Sequence, residues 1–499
     1  MADTSGLSDI QGYVAQLISL ERTTGPEKYY TDRKSELTMK SSTLTDLDTN
    51  LSALNTQVQS LLQTGSLSPL SARNVTFSTS GYATATADNT AALGTHALQV
   101  SQLAKQSTIV SNSVTATGST LVNSVGTGAK TFSITIAGVA TNVTVNVGQN
   151  DTNQTVLTNM AAAINASGAA IGASVVWDTS STVRLSLVGK NSGSANVMTV
   201  QDVTGTLLSA TGVSSSRQVN GAVGGYLYAS SLLDARVVMD GLTYTRASNT
   251  ISDLLSGVTF SLTGASADSS NPTSGSLSFT IAPDQTGIKA KVQAFLDAYN
   301  ASLKFLKDRT SVSVTTDTSN STTTTVTSVT RGTLADDFTY MSLPKYMRSD
   351  VGGQISSAAP GGPKSLYEIG ITAAADGTLS ISDTTKFNNA VSNNPDGVTT
   401  LFNSSDGIAT RLSNRLTNFV KAGGILDNSQ ASVTSNITNM NNSINEQEKL
   451  LTIRQAQLTQ QYEALAEVMA QLSMQQSVVT AYLSGLNLSS TGTSSTSSF

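Results

Sequence analysis

The sequence predicts an α+β multidomain protein in which helical, coiled-coil N- and C-terminal legs carry two β-rich head domains inserted between them. Three observations support this. Apolar residues recur at three-, four- and seven-residue spacing near both ends of the chain. They alternate with polar residues through the middle, and Gly/Ser/Thr-rich joints separate the regimes. A chain of 499 residues has room for about three domains and more than one core.

Taken in order, Leu7, Ile10, Val14 and Leu17 predict one face of a first helix, which Gly25-Pro26 interrupts. A second helix follows with two heptad tracks, Leu37, Leu44, Leu51, Val58 and Leu47, Leu54, Leu61, ending near Gly65 and Pro69. From about 75 to 287 the period becomes two. Phe132, Ile134, Ile136 and Val143, Val145, Val147 predict a hairpin turned at Ala137-Gly138-Val139. Asp151 with Gln154 reads as a capping box for a helix bearing Val156, Met160 and Ile164 and ended by Gly168. Val175 and Trp177, then Val183, Leu185 and Leu187, predict two more strands and so a compact β-β-α-β-β unit. Asp240-Gly241 and Asp376-Gly377 are hairpin turns. Between them Ile288, Val292, Phe295, Leu296, Tyr299 and Leu303 form another helical stripe.

The strongest pattern is C-terminal. Ile437, Ile444, Leu451, Leu458, Leu465, Leu472, Val479 and Leu486 repeat every seven residues without a polar member. The companion track, Val433, Met440, Gln447, Arg454, Gln461, Val468, Gln475 and Tyr482, is half polar. A dry two-stranded zipper is apolar on both tracks, so this helix is expected to bury one edge tightly and to offer the other for a wetter, exchangeable contact.

The domain layout that follows has six parts. Residues 1–45 are an N-terminal helical segment, and 46–74 with 288–432 make a helical leg domain in which the low-complexity run 311–330 is a flexible insertion. Residues 75–106 with 219–287 make one β-rich head domain, and 107–218 a second one inserted into it. Residues 433–486 are a C-terminal coiled coil, and 487–499 a disordered Ser/Thr tail.

Composition removes several functions. The chain has no cysteine, which excludes disulfides, thiol nucleophiles and Cys-ligated metals, and a single histidine, His96, through which any Ser-His-Asp triad would have to run. A net charge of −5 with only 12% charged residues leaves no basic footprint for nucleic acid or an anionic membrane, and 143 Ser and Thr keep the chain soluble instead. Gly126-Thr127-Gly128-Ala129-Lys130 lacks P-loop spacing, and Asp336-Asp337 lacks the alternating ligands of a calcium loop. No enzyme activity, cofactor or metal is expected. The N-terminus lacks a cleavable signal pattern, and no apolar run is long enough to cross a bilayer.

The ordered motifs resemble the flagellar filament-capping proteins, the hook-associated protein 2 family. The resemblance opens with Gly6-Leu7-Ser8-Asp9-Ile10 and Leu17-Ile18-Ser19-Leu20-Glu21-Arg22. It continues through Leu233-Asp234-Ala235-Arg236, Asp240-Gly241, Asn249-Thr250-Ile251-Ser252-Asp253 and Gly257-Val258-Thr259-Phe260-Ser261-Leu262. Phe295, Tyr299-Asn300, Ile369-Gly370-Ile371, Asp376-Gly377-Thr378-Leu379, Leu401-Phe402 and Gly407-Ile408-Ala409 extend it. One departure stands out: Leu334-Ala335-Asp336-Asp337 occupies the place where the family often has Leu-x-Gly-Asp.

The resemblance implies a homo-oligomeric ring, commonly a pentamer, that sits on the distal tip of the filament and guides flagellin into place. It also implies contact with hook-filament junction proteins, an export chaperone on the C-terminal region, and export by the flagellar type III route to the outside of the cell. No nucleic acid or membrane partner is implied. The residues expected to carry assembly are Leu44, Leu47, Leu51, Leu54, Val58 and Leu61 with Ile437, Ile444, Leu451, Leu458, Leu465, Leu472, Val479 and Leu486. Asp240, Gly241, Asn249, Asp253 and Gly257 mark the family's β motif. Two alternatives stand beside this: an adhesin binding host mucin or glycans through the β head, and another axial protein such as a hook-filament junction protein.

Overall fold

The computed structural model describes residues 4–266, 275–317 and 325–488. The chain begins with helices α1 (Thr4–Thr24) and α2 (Pro26–Leu61), split where Pro26 takes the first helical position and Gly25 lies against the Glu21 carbonyl. Strands β1 (Arg73–Phe77), β2 (Ala83–Ala87), β3 (Gly94–Gln102), β4 (Gln106–Val110) and β5 (Val114–Thr115) follow. Next come α3 (Thr120–Val125), β6 (Gly128–Ile136), β7 (Val139–Val147), α4 (Asn153–Ala166), β8 (Ile171–Trp177), β9 (Thr182–Ser192), β10 (Met198–Thr204) and α5 (Leu207–Thr211). The chain continues with β11 (Gly225–Tyr226), β12 (Ala235–Met239), β13 (Leu242–Arg246), β14 (Thr250–Leu255), β15 (Val258–Leu262) and β16 (Leu277–Pro283). The last third holds α6 (Gln285–Thr310), β17 (Val312–Asp317), β18 (Thr325–Arg331), α7 (Phe338–Gly352), β19 (Ile371–Ala373), β20 (Leu379–Ile381), α8 (Thr384–Asn393), α9 (Pro395–Asn403), α10 (Ile408–Val420) and α11 (Ile425–Leu488).

Alternation of apolar residues fixes the β regions, because a strand can bury only every second side chain. Phe132, Ile134 and Ile136 of β6 and Val143, Val145 and Val147 of β7 all point into one core with Val156, Met160 and Ile164 of α4. Ala137 and Gly138 both take positive φ, 48° and 78°, which is the twist a two-residue hairpin turn needs. A second sheet, ordered β11-β4-β9-β5 with β8 also on β9, closes this core from the other side. The neighbouring core lies between a sheet ordered β1-β16-β3-β12-β13 and one ordered β14-β15-β2, and Phe260 meets Phe279 edge-on within it at 5.3 Å.

The third core is helical. Residues Leu37–Leu70 and Ile288–Val433 share it, so its two halves come from either side of the β regions. Tyr340 of α7 donates to the Ser429 hydroxyl of α11 at 2.8 Å, and Arg415 of α10 holds Asp350 of α7 through two contacts, one of them 2.9 Å long.

Several sequence expectations need correction. On α1 the inward residue is Ile18, while Leu17 is exposed, because the stripe drifts with the 3.6-residue period. The cap of α4 is Thr152, which accepts from Thr155 N, whereas Asp151 accepts from Gly148 N at 2.7 Å. Trp177 lies exposed at the end of β8, whose buried residues are Ile171 and Ala173. Within the expected insertion 311–330, Val312–Asp317 pairs antiparallel with Thr325–Arg331, since β-branched Thr and Val suit a strand; residues 318–324 lie outside the described residues. The expected boundaries at 45/46 and 432/433 fall inside α2 and α11, each a continuous helix. Of the expected tail, residues 487 and 488 end α11 and 489–499 lie outside the described residues.

Candidate assembly surface

The β motif is a set of turns and fasteners. Asp240 and Gly241 both adopt positive φ, 50° and 85°, between β12 and β13. The Asp240 carboxylate accepts from Ala97 N at 2.9 Å and meets His96 Nδ1 at 2.8 Å, and these contacts hold its pKa below the usual carboxylate range. His96 also stacks on Phe279. Asn249 accepts from Ala104 N at 2.7 Å and donates to Ala104 O at 3.0 Å, tying two connecting segments together. Asp253 receives Arg246 Nε at 2.9 Å on the surface. Gly257 has φ 75°, and a Cβ there would stand 2.6 Å from the Asp88 carboxylate. Asp234 accepts from Ser194 N at 2.7 Å and from the Ser194 hydroxyl at 2.6 Å, which fastens the segment after β9 to the one before β12. These residues set the shape of the heads.

Leu44, Leu47, Leu51, Leu54, Val58 and Leu61 are buried in the helical core against the chain's own α6, α10 and α11. Within one chain these side chains are covered by three neighbouring helices, as the apolar stripe of an amphipathic helix usually is.

The C-terminal track divides along its length. Ile437 packs against the same core, Ile444 is half-buried, and Leu451 joins Val14 and Ile18 of α1 in a small cluster edged by Ile10, Leu458 and Tyr462. Beyond that point Leu465 is 55% exposed, Leu472 60% and Val479 56%; the Leu486 side chain lies outside the described residues. On the companion track Val433 is buried, Gln461 is exposed, and Val468 and Tyr482 are open to solvent. On α1, Tyr13, Leu17 and Leu20 are also exposed. Sequence reasoning missed this second α1 stripe. The 3-4 spacing of those three residues, beside the buried Ile10-Val14-Ile18 row, was the available signal.

Exposed large apolar residues therefore recur on α1 and along distal α11, and soluble monomers rarely leave large apolar patches bare. Such residues are the kind that association with other chains covers. The comparisons with known proteins agree. A model of the flagellar hook-associated protein 2 C-terminus matches residues 233–474, and one of the N-terminus of the same protein matches residues 5–107. The B-type flagellar hook-associated protein 2 of Pseudomonas aeruginosa is 28% identical over 482 residues, covering 94% of this chain and 92% of that protein. The A-type protein of Pseudomonas aeruginosa is 27% identical over 94% of each. Among solved structures, the flagellar cap protein FliD D1-D2-D3 domains from Escherichia coli share the fold with a TM-score of 0.58 at 21% identity, covering 79% of this chain and 99% of that one. The chain belongs to the flagellar hook-associated protein 2 family.

Among the described residues no helix is long and apolar enough to cross a membrane, and no group of three or more His, Asp or Glu is placed to hold a metal ion.

Proposed function

We propose that this protein caps the distal end of the bacterial flagellar filament and promotes flagellin polymerisation there. The observation that carries the reading is the apolar surface of α1 and distal α11, uncovered in a single chain of this family. Association would cover it, with Leu465, Leu472 and Val479 against other copies or against the filament end. In this reading the copies form a ring, a pentamer by family resemblance, and flagellin enters beneath the heads. Junction proteins adjoin the ring's filament, and a chaperone covers the C-terminal helix before the chain leaves by the flagellar export channel. Residues 107–218 serve as a head domain inserted into a second one made of 75–106 and 219–287, with β11 (Gly225–Tyr226) completing the inserted head's sheet on β4.

The test is genetic and biochemical together. Cells lacking the protein are expected to shed unpolymerised flagellin into the medium, and wild-type protein to restore filaments. A Leu465→Asp/Leu472→Asp variant is expected to be produced and folded yet to leave flagellin in the medium. Normal filaments without the protein, or full rescue by that variant, would overturn the reading.

A further inference from the structure

The helical domain carries a cleft and a projecting segment of matching chemistry, and the two sit on one face of the same helix. The cleft, about 940 Å3, lies between α6, α7 and the β19-β20 hairpin. Met341, Leu366 and Leu379 contribute apolar wall. Lys345 and Arg348 line it as well, and Arg348 Nη2 donates to the Ala375 carbonyl at 3.5 Å. Arg348 can lie across the hairpin because residue 377 is glycine: a Cβ there would be 2.6 Å from its Nε. Of the nearby acids, Asp376 accepts from Thr378 N at 3.0 Å and also feels the charges of Lys307 and Arg348, and Glu368 accepts from Lys364 N at 3.0 Å. Tyr299 also lines the cleft. It is fully buried, its hydroxyl has no hydrogen-bond partner, and burial pushes its pKa up, so it remains a neutral donor in want of an acceptor.

The projecting segment is Asp336-Asp337-Phe338. Asp337 caps α7 by accepting from Thr339 N at 3.2 Å, which fixes Phe338 as the first helical residue. Phe338 is 79% exposed, the most exposed large apolar side chain among the described residues. Asp336 pairs with Arg331 at the surface, a contact that exchanges readily, while Asp337 keeps one oxygen on Thr339 N and has Lys40 at 3.5 Å from the other. This is also where the sequence departs from its family's Leu-x-Gly-Asp pattern.

A lone exposed phenylalanine is ordinary. Here, however, positions 338, 341, 345 and 348 share one stripe of α7, and the helical rise sets Phe338 about 10 Å from Lys345, with Pro344 between them. In this chain Phe338 projects into solvent and does not line its own cleft. We propose that Asp336-Asp337-Phe338 of one copy docks in the Tyr299/Lys345/Arg348 cleft of a second copy. The ring of Phe338 fills the apolar wall, the carboxylates meet the two cations, and an inserted acceptor satisfies the Tyr299 hydroxyl. Because segment and cleft are different patches, each copy keeps one of them free after docking, and the contact propagates head to tail as a closed ring requires. The inference rests on the self-association in the proposed function and assigns it a surface.

Sedimentation velocity of the full chain over a concentration series tests it, with Phe338→Asp removing the segment and Lys345→Glu/Arg348→Glu disabling the cleft. Each variant alone is expected to need at least tenfold higher protein concentration to assemble, with an unchanged melting curve. An equimolar mixture is expected to form heterodimers and stop there, because it contains one intact segment and one intact cleft. If Asp at 338 unfolds α7, Phe338→Ala replaces it in the same design. Variants that assemble like the wild type, or a mixture of folded variants that gives no heterodimer, would overturn the contact while leaving self-association standing. Wild-type protein that stops at dimers would overturn the head-to-tail arrangement. Wild-type protein that stays monomeric throughout would sink both the contact and self-association.

Discussion

Asp240 shows how a residue that looks functional in sequence is spent on shape. It takes φ 50°, accepts a backbone N–H and fastens the single histidine of the chain, all at one hairpin. Its pKa is lowered in the fold, first by the Ala97 N–H and then by His96, so the stabilisation it supplies is present above the unfolded carboxyl value near 4 and is lost as the pH falls through the folded value. Comparing the melting temperatures of wild type and Asp240→Asn should therefore give a gap at neutral pH that narrows between about pH 5 and pH 3. A gap that is constant or widens over that interval would mean the carboxylate charge is not what the turn uses. The hairpin itself was legible, since Asp-Gly between alternating apolar runs is a strong turn signal. The His96 contact was not, because it joins residues 144 apart in sequence.

At the scale of elements, the two heptad helices have opposite fates. Leu51 is fully buried against the chain's own helices, so Leu51→Ala should cost about 2–5 kcal/mol in chemical denaturation whether or not the protein assembles. Leu465 is more than half exposed, so Leu465→Asp should change the stability of the isolated subunit by less than about 0.5 kcal/mol while lowering self-association. Equal destabilisation by both would show that distal α11 packs inside the subunit. Periodicity revealed both helices and their inward rows, from Leu44 to Leu61 and from Ile437 to Leu458, because burial imposes a period wherever it occurs. It could not say whose surface buries them. It was also silent on the Val312–Asp317 and Thr325–Arg331 pairing, where Val312, Val314 and Val329 are exposed and so leave no burial period to read.

For the whole molecule, the cores are grouped in a nested order. Residues 109–213 supply one core almost alone, while the helical core needs segments more than 200 residues apart. Deleting 107–218 and joining the ends should therefore leave a protein that is soluble and still associates, seen as a single shifted sedimenting species with one cooperative melt. Global unfolding of that deletion would mean the inserted head is needed by its neighbours, through fasteners such as Asp234 to Ser194.

The same nesting dictates an order of events in time. Leu44 and Leu47 cannot be covered until α6, α10 and the start of α11 are available, and the Ser41 to Gln430 contact joins residues 389 apart in sequence. Closing such a loop is slow relative to pairing β6 with β7 across a two-residue turn. A chain delivered amino end first would thus meet its surroundings with a folded inserted head and an open leg, and the leg would lock only after about residue 433 had emerged. Whatever holds the nascent end at that moment does so before the protein has acquired the part with which it stands.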